Sequence, residues 1–263
     1  WCNADVIHRA QSIPASRVSE APRISIIIAT WNAARTFERC IASITGQQFT
    51  DWELLVSDGS STDATVDILR RHADQIAWWR SEPDGGIYDA WNQALAHARG
   101  DYVCFLGADD AWAANDSLAL LFAAMGSVDY DLVTSRGLRF DPATGKKLRF
   151  GGKWDYRRLG RRMIVCHPGM LHRRALFQQH GGFDTRYRIA GDLEFLLRLP
   201  ADTRTLHVDV TSVLVEASGI SRRNVFPRLR EQRLVLARCP RYGPFHAWCA
   251  WLDKLWRYPL ARL

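Results

Sequence analysis

Two adjacent carboxylates, Asp109 and Asp110, come directly after an apolar run in the stretch GDYVCFLGADDAW, residues 100–112. Such a run can form a strand buried between layers of helices, but folding does not require two like charges where the strand ends. Carboxylate oxygens are the ligands that Mg²⁺ and Mn²⁺ prefer, and either ion can bridge a protein and a diphosphate. The pair therefore predicts a divalent-metal site that uses Mn²⁺ or Mg²⁺.

The segments around this pair alternate between strand and helix patterns. β-branched apolar runs bounded by polar clusters predict strands, and apolar residues at three- and four-residue spacing predict helices. The predicted order is a strand at 24–29, a helix at 34–44, a strand at 53–56, a helix at 64–71 capped by Thr62 or Asp63, a strand at 76–79, a helix at 87–98 and a strand at 102–106. This alternation predicts an α/β fold around a mostly parallel sheet.

Four polar loops follow the predicted strands, and ligands of parallel sheets bind beyond the carboxyl ends of the strands. The loops read ATWNAA, SDGSSTDAT, SEPDGGIYDAWN and GADDAW. The sequence has neither a GxGxxG motif after the first strand nor a Walker lysine motif. A bound phosphate would therefore need another cation to neutralise it, which again favours a metal at the acidic pair.

Four separated segments of the chain resemble family 2 glycosyltransferases with the GT-A fold. In order, they are SIIIATWNAA, ELLVSDGSSTDATVDIL, SEPDGGIYDAWNQALAHARGDYVCFLGADD and CHPGMLHRRALFQQHGGFDTRYRIAGDLEFLLRL, which lie between residues 24 and 199. The resemblance implies an inverting, non-processive transferase with a Rossmann-like nucleotide-binding half and an acceptor half. It also implies a role in assembling bacterial surface polysaccharides or glycolipids.

The resemblance places Ala29, Thr30 and Trp31 against the donor nucleotide, with Asp58 accepting a hydrogen bond from the base. This is chemically reasonable, because an indole offers a stacking face and a carboxylate can accept from a uracil N–H. The structural alternatives are a core aromatic for Trp31 and a turn residue for Asp58.

The resemblance also implies that the third loop lines the sugar-diphosphate cleft. Asp84, Gly86, Asp89 and Asn92 are the residues concerned, and glycine would permit close approach of the backbone. Ala108 of the acidic motif completes the predicted donor-binding set. The alternative for Asp89 is an early-helix charge that the helix dipole favours.

The acidic motif departs from the pattern of the family, which often has Asp-x-Asp where this chain has Gly107-Ala108-Asp109-Asp110. We assign Asp109 to the metal, and Asp110 to the metal, to the groups around it or to the acceptor sugar. His167 in CHPGM is a further candidate contact to metal or diphosphate. The alternatives are a solvated turn or helix cap for the acidic pair and a structural histidine for His167.

By the same resemblance, Asp192 in YRIAGDLEFLLRL is the general base. It would take the proton from an acceptor hydroxyl as that oxygen attacks the anomeric carbon, and a single displacement of this kind inverts the anomeric centre. Apolar residues after Asp192 recur at helical spacing, and Glu194 can pair with Arg198 one turn later. The alternatives are a helix N-cap for Asp192 and a surface ion pair for Glu194.

Positive charge is concentrated near the carboxyl end of the chain. From residue 221 onward there are ten Lys or Arg against two acids, a net charge of +8, whereas the whole 263-residue chain carries +7. A nucleic-acid-binding protein usually spreads positive charge over its main folded surface, so this distribution argues against nucleic acid as a partner. We predict a flexible arm at 1–23, a GT-A domain at 24–220 and a basic, Trp-rich helical extension at 221–263.

The extension combines apolar residues at helical spacing with the flanking cations Lys254 and Arg257. The apolar residues are Phe245, Trp248, Cys249, Trp251, Leu252, Leu255 and Trp256. Such a helix can lie at an anionic membrane surface. The alternative is a helix that packs on the catalytic domain while its arginines reach solvent.

The sequence also indicates a cellular compartment. The six cysteines are scattered without a CxxC or a zinc spacing, which favours a reducing compartment. No stretch approaches the roughly 20 apolar residues of a membrane span, and residues 1–23 lack the compact apolar segment of a signal peptide. We expect a cytoplasmic protein that the extension can hold at the inner face of the cell membrane.

These features predict transfer of a sugar from a UDP-linked donor to a glycan or a lipid-linked saccharide. One alternative enzyme is a sugar-phosphate nucleotidyltransferase, although the sequence lacks the glycine-rich, basic amino-terminal loop of that class. A non-enzymatic alternative is a polyanion-binding module built on the basic extension. That module would leave the four acidic loops unexplained.

Overall fold

The computed structural model describes residues 21–161, 163–217 and 225–257, with the side chains of 253–257 outside the description. Its strands are β1 (Ile24–Thr30), β2 (Trp52–Asp58), β3 (Trp78–Ser81), β4 (Tyr102–Gly107), β5 (Ala111–Trp112), β6 (Leu132–Phe140), β7 (Lys147–Phe150), β8 (Leu171–Arg173) and β9 (Thr205–Glu216). Its helices are α1 (Phe37–Thr45), α2 (Thr65–Arg71), α3 (Ile87–Leu95), α4 (Ser117–Met125), α5 (Tyr156–Leu159), α6 (Arg174–His180), α7 (Gly191–Arg198), α8 (Val225–Arg238) and α9 (Gly243–Arg257), with a 3-10 turn at Ala73–Gln75.

One sheet runs through the molecule in the order β3-β2-β1-β4-β8-β6-β9-β5, and β7 pairs with β6. The first four strands in this order are parallel to one another, as the alternating pattern predicts. Beyond β4 the sheet is mixed, because β8 is antiparallel to both β4 and β6 whereas β9 is parallel to β6. The predicted α/β GT-A architecture is confirmed, and its parallel part is the first half of the sheet.

Helices cover both faces of the sheet and bury separate apolar layers. Residues of β1 alternate between these layers, with Ile26 and Ile28 in the layer that includes α1, α2 and α4. Ile27 instead joins the layer that includes α3, α6, α7 and α8. A strand that is buried on both faces has no polar side, which explains the continuous apolar run of β1.

Three predicted boundaries shift, and the first shifts because backbone groups find partners in another loop. Helix α1 begins at Phe37 rather than at residue 34, since the Ala33 N–H donates to Thr65 Oγ1 (2.8 Å) and the Ala34 N–H to Asp63 Oδ2 (3.1 Å). Strand β3 begins at Trp78 rather than at residue 76, after the 3-10 turn. Helix α3 ends at Leu95 rather than at residue 98, because the His97 and Ala98 N–H groups donate to carbonyls three residues earlier and form a turn. Asp63, one of the predicted caps of α2, accepts from the Thr65 N–H at 3.0 Å.

The carboxyl-terminal extension packs on the rest of the protein. Val235 of α8 and Ala247 of α9 are buried, the Tyr242 hydroxyl donates to the Tyr156 carbonyl (2.7 Å), and His246 Nε2 lies 2.9 Å from the Gly160 carbonyl. Packing is therefore part of its role. Residues 1–20 of the predicted arm and residues 218–224 lie outside the described residues.

The outer side of α9 remains apolar and exposed. The exposed fractions are 84% for Phe245, 47% for Trp248 and 55% for Leu252, and their spacing places them on one face of the helix. Within the described part of the chain, none of the helices combines the length and the apolar character needed to cross a bilayer.

Candidate functional site

The predicted ligand loops meet at one edge of the sheet because β1, β2, β3 and β4 are parallel and end together. Asp58, the last residue of β2, stands in register with Thr30 on one side and with Ser81 on the other. Ala29 of β1 stands in register with Gly107 of β4. The sheet therefore brings the first, second, third and fourth loops side by side.

Asp58 is fully buried and joins the ends of three strands. Its carboxylate accepts from the Thr30 hydroxyl (2.7 Å), the Ser61 N–H (2.8 Å) and the Ser81 hydroxyl (2.6 Å), and also from the Ser61 hydroxyl. A buried carboxylate needs such donors, and through them Asp58 holds the ends of the three strands together. Its predicted hydrogen bond to a nucleotide base stays a prediction, and such a bond would compete with these donors.

Trp31 projects from the end of β1 with 71% of its surface exposed. The alternative of a core aromatic is therefore wrong, and the indole face is open for stacking. The next residue, Asn32, has φ of 48° and accepts from the Thr62 N–H at 2.9 Å. This bond ties the first loop to the second and fixes the direction in which Trp31 leaves the sheet.

The third loop is held by its own carboxylates. Asp84 accepts from the Gly86 N–H and Asp89 from the Gly85 N–H, both at 2.7 Å. Gly86 has φ of +111°, and a Cβ there would lie 2.7 Å from the Arg188 guanidinium. Only glycine suits this position, and Arg188 therefore lies directly over the loop predicted to hold the sugar diphosphate.

Asn92 uses its side-chain amide within the protein. Its Nδ2 donates to the Phe183 carbonyl and its Oδ1 accepts from the Phe183 N–H, each at 2.8 Å. This two-point contact fixes α3 to the segment that leads into α7. The structure thus gives Asn92 a positioning role, and its predicted contact with the donor stays a prediction.

The acidic motif folds back toward Gly107. A Cβ on Gly107 would lie 2.6 Å from Asp109 Oδ1 and 2.9 Å from Asp110 Oδ2, so the two carboxylates occupy the space that a side chain at 107 would need. Ala108 and Asp110 are buried, whereas Asp109 is half-buried. Burial raises the pKa of Asp109, and burial with the charge of Asp109 raises the pKa of Asp110 well above its usual range.

A buried glutamate and two arginines surround this motif. Glu216, at the end of β9, forms ion pairs with Arg35 and with Arg39 (3.3 Å) of the α1 region. Arg39 also donates to the Asp109 carbonyl at 2.7 Å. The arrangement joins the two halves of the sheet at the site, and it places positive charge beside the acidic pair.

The acidic pair suits a divalent cation, although it does not form a complete cage. Among the described residues, no group of three His, Cys, Asp or Glu side chains is arranged to hold a metal. Two adjacent carboxylates with raised pKa are stabilised in their charged form by a nearby cation. Mg²⁺ and related ions are commonly held by one or two carboxylates and completed by substrate phosphates and water.

His167 lies in an aromatic cluster rather than at the open cleft. Its ring stacks on Trp91 and on Phe105, with centroid distances of 5.6 and 5.9 Å. Burial lowers the pKa of His167 to about 4, so the ring is neutral, and its buried Nε2 has no hydrogen-bond partner in the described structure. This favours the structural role, while its predicted metal contact stays a prediction.

Asp192 occupies the first turn of α7 and faces α3. Its Oδ1 accepts from the Tyr88 hydroxyl (3.2 Å) and from the Leu193 N–H (2.7 Å). Burial raises the pKa of Asp192 to about 6 against the opposing effect of these two donors. Tyr88 is itself buried, which raises its pKa well above the usual value and keeps it a donor. A carboxylate with a pKa near neutrality matches the requirements of a general base.

Ala190, rather than Asp192, is the N-cap residue of α7, but Asp192 Oδ1 accepts from the first-turn Leu193 N–H, so Asp192 also stabilises the start of this helix. The expected ion pair of Glu194 is present, with Arg198 Nε 2.9 Å from Oε1. Asp192 therefore combines a structural contact in the first turn with a position that faces Tyr88, and its role as the general base stays a prediction.

The extension supports the segment that precedes Asp192. Glu231 of α8 accepts from three consecutive backbone N–H groups, those of Arg188 (3.0 Å), Ile189 (2.8 Å) and Ala190 (2.9 Å). Its negative charge also raises the pKa of Asp192. One side chain therefore fixes both Arg188 and the start of α7.

We expect Glu231→Gln to slow the reaction by about 10-fold or more, because an amide offers one acceptor oxygen where the carboxylate offers two charged ones. Loss of the charge should also lower the pKa of Asp192, so the acid limb of the pH–rate profile should move to lower pH. A pH profile with unchanged limbs would show that Glu231 acts only on stability. Glu38→Gln, which removes an exposed carboxylate elsewhere, is the matched control.

Sequence reasoning did not find Tyr88, Arg188, Glu216 or Glu231. Arg188 stands four residues before Asp192, and a cation so close to a proposed base was an available signal. The other three act through contacts between residues far apart in the chain. No local pattern marks such contacts.

Comparisons with known proteins agree with this geometry. The family model described as "Glycosyl transferase family 2" matches residues 25–180. A mycobacterial "PGL/p-HBAD biosynthesis glycosyltransferase", from Mycobacterium tuberculosis and Mycobacterium bovis, is 36% identical over 204 residues, which cover 73% of this chain and 77% of that protein. An uncharacterized glycosyltransferase of Mycobacterium tuberculosis is 32% identical over 69% of this chain and 70% of its own length.

Solved structures show the same fold at lower identity. A mannosyltransferase from Pyrobaculum calidifontis, in complex with GDP-Man and Mn²⁺, has a TM-score of 0.68 and 22% identity, covering 92% of this chain and 73% of that one. TarS of S. aureus, in complex with UDP-GlcNAc, has a TM-score of 0.64 and 18% identity, covering 89% of this chain and 71% of that one. Both support the GT-A fold for this chain.

Proposed function

Because the chain belongs to glycosyl transferase family 2 and is a glycosyltransferase of the GT-A fold, we propose that it transfers a sugar from a nucleotide donor with inversion at the anomeric carbon. The observation that carries the proposal is the placement of Asp192. Its carboxylate, with a pKa of about 6, is hydrogen-bonded to Tyr88, which lies two residues after the Gly86 loop. A base therefore stands beside the loop that we assign to the donor.

In the proposed step Asp192 accepts the proton of an acceptor hydroxyl. The hydroxyl oxygen forms a bond to the anomeric carbon as the bond from that carbon to the diphosphate oxygen breaks. The electron pair and the negative charge leave with the nucleoside diphosphate. Arg188 lies over the Gly86 loop, where its guanidinium can stabilise the charge of the leaving diphosphate.

Asp109 and Asp110 are the residues that would hold a divalent cation. When bound, Mn²⁺ or Mg²⁺ stabilises the negative charge of the leaving group. Arg39 and Glu216 contribute by fixing the backbone and the electrostatics around the pair. The mannosyltransferase with a similar fold was solved with Mn²⁺, which supports this assignment.

The donor is proposed to carry UDP, and the acceptor to be a glycan or a lipid-linked saccharide. TarS, which shares the fold, was solved with UDP-GlcNAc, and the mycobacterial relatives are named for glycolipid biosynthesis. Exposed Trp31 would stack on the nucleotide, and Ala29, Thr30, Asp58, Asp84, Asp89, Asn92 and Ala108 complete the proposed donor site. The alternative of a nucleotidyltransferase is wrong, since the family and the relatives are glycosyltransferases.

Calorimetry against UDP, GDP, CDP and dTDP, each with and without Mn²⁺, tests the donor assignment. We expect one nucleotide, UDP, to bind at micromolar concentration with Mn²⁺ and much more weakly without it. Equal affinity for all four nucleotides would contradict base recognition. Equal affinity with and without the ion would contradict the metal assignment.

We also propose that the outer face of α9 docks on anionic membranes and places the protein at the inner face of the cell membrane. Phe245, Trp248 and Leu252 form the exposed apolar face, and the extension from residue 221 onward has a net charge of +8. Such a helix buries its apolar face in the headgroup region while its cations contact anionic lipid. Because the other side of α9 packs on the rest of the protein, deleting the helix would remove packing contacts together with the membrane-facing residues. Deletion therefore would not test membrane docking by itself.

Phe245→Ser/Leu252→Ser should therefore lose sedimentation with liposomes that contain phosphatidylglycerol, while turnover of a soluble acceptor stays within about two-fold. Both residues are exposed, and surface substitutions change stability little. Leu148→Ser, at another exposed apolar residue, is the control. Equal sedimentation of the double variant and the native protein would contradict docking through α9.

A further inference from the structure

The second half of the sheet contains a cavity of ≈970 Å³ whose lining is rich in arginine and lysine. It lies between the β6–β7 hairpin, the first part of β9 and the segment from Gly151 to Val165. Its charged lining comprises Arg136, Arg139, Arg149, Lys153, Arg158 and Asp209. We call this space the basic cavity.

Five cations and one carboxylate line the basic cavity, and the carboxylate already forms ion pairs with two of the cations. Asp209 Oδ1 lies 2.8 Å from Arg136 and 3.1 Å from Arg149. The side chains of Lys153 and Arg158 have neither a hydrogen bond nor an ion pair to any described residue, and both are exposed. Protein surfaces usually mix charges of both signs, because like charges in a concave space repel one another. The charges of Lys153 and Arg158 therefore favour the binding of an anion in the basic cavity.

The shape and composition of the cavity indicate which anion fits. Arginine guanidinium groups present planar pairs of donors that match phosphate oxygens, and lysine adds a compact charge. A phosphate group carries up to two negative charges at neutral pH, so it matches the two cations Lys153 and Arg158 better than a carboxylate with one charge does. Phe150, Met163, Ile164 and Val165 supply an apolar wall beside these cations.

Cys166 lies close to both the basic cavity and the acidic motif. Val165 lines the cavity, and the next residue, Cys166, experiences the charges of both Asp110 and Arg139. Cys166 also fills the space beside two glycines, since a Cβ on Gly137 would lie 2.6 Å from its Sγ and one on Gly151 would lie 2.9 Å from its Cβ. The cavity thus adjoins the site on the side away from β1, β2 and β3, whose loops we assign to the donor.

We propose that the basic cavity binds a phosphate group of the acceptor substrate. The inference rests on the proposed function, because it assigns the acceptor to the half of the sheet that the donor leaves free. The phosphate belongs either to a water-soluble phosphorylated glycan or to a lipid phosphate. In the second case the apolar wall contacts the start of the lipid chain.

The test compares two double variants that remove the same residue types and the same charge. Lys153→Gln/Arg158→Gln changes the cavity, whereas Lys147→Gln/Arg157→Gln changes exposed neighbours that do not line it. Calorimetry with EDTA, which keeps metal-bound phosphate from the acidic motif, measures the affinity for inorganic phosphate and for dodecyl phosphate below its micellar concentration. UDP affinity with Mn²⁺ is measured in parallel on all three proteins.

We expect the cavity variant to weaken binding of the phosphate probe by at least 10-fold, with the neighbour variant within two-fold of the native protein. Tighter binding of dodecyl phosphate than of inorganic phosphate assigns a lipid-linked acceptor, and equal binding assigns a soluble one. Absence of binding to the native protein, or equal losses in both variants, overturns the proposal. Normal UDP binding in that case leaves the proposed transferase function intact, so the two failures are distinguishable.

Discussion

Asp192→Asn should lower kcat by about 100- to 10,000-fold while the affinity for UDP stays nearly unchanged. The amide has almost the same volume as the carboxylate and can still accept from Tyr88 and Leu193, but it cannot take a proton from the acceptor. The range is the usual contribution of a general base. Single-turnover rates and UDP calorimetry on the same preparation measure the two quantities separately.

The same substitution should increase stability above neutral pH. The folded pKa of Asp192 is about 6 against an ordinary 3.8, so the folded protein binds the proton more tightly than the unfolded chain does. Stability is therefore full at low pH and falls as the pH rises from about 4 to 6. Asn avoids this loss, which we expect to be about 1–2 kcal/mol after allowance for partial exposure.

Glu194→Gln is the matched control, because it removes a carboxylate from the same helix turn. Glu194 already pairs with Arg198, so this variant should keep kcat within about three-fold of the native value. If Asp192→Asn retained more than about a tenth of the rate, the base would have to be sought elsewhere. A large loss in Glu194→Gln would then identify Glu194 as the proton acceptor.

The first half of the sheet could be predicted from the sequence because its elements form from local patterns. The apolar runs of β1 and β4 and the helical spacing in α1 and α3 each lie within a short window of the sequence. The second half could not be predicted in this way. Strand β9 pairs with β6 across about 75 residues, with irregular register near Arg136, and β8 has only three residues. Their pairing depends on tertiary contacts that no local periodicity records.

The residues of the candidate site also differ in whether a local sequence pattern identifies them. Motif positions such as Asp109 and Asp192 carry a recognisable sequence pattern, so the resemblance located them. Glu231 and Glu216 carry none, because each acts on a backbone segment or an arginine that is distant in sequence. The structure also changes the interpretation of Asp58 and Asn92, whose polar atoms bind other parts of the protein. Sequence patterns identify polar residues near a ligand edge, but hydrogen-bond partners decide which of them face the ligand.

Asp109→Asn should reduce turnover by about 100-fold or more while the protein stays folded, because the amide lacks the charge that would hold the cation beside the leaving diphosphate. Asp109 is half-buried and lies beside Arg39 and Glu216, so removing its charge should not destabilise the fold. Calorimetric titration of Mn²⁺ in the presence of UDP should show a loss of ion affinity that parallels the loss of rate. Asp110→Asn should have a smaller effect on the rate.

The control for this prediction is Asp101→Asn, which removes an exposed carboxylate immediately before the opposite end of the same strand. It should leave both the rate and the Mn²⁺ affinity within about two-fold, since surface substitutions of this kind change little. Treatment of the native enzyme with EDTA should reproduce the Asp109→Asn defect, and added Mn²⁺ should restore the native enzyme but not the variant. Near-normal turnover of Asp109→Asn, together with a native enzyme that EDTA does not inhibit, would refute the assignment of Asp109 to a metal. The charge of the leaving diphosphate would then have to be stabilised by arginines, and Arg188, which lies over the Gly86 loop, would be the first residue to substitute.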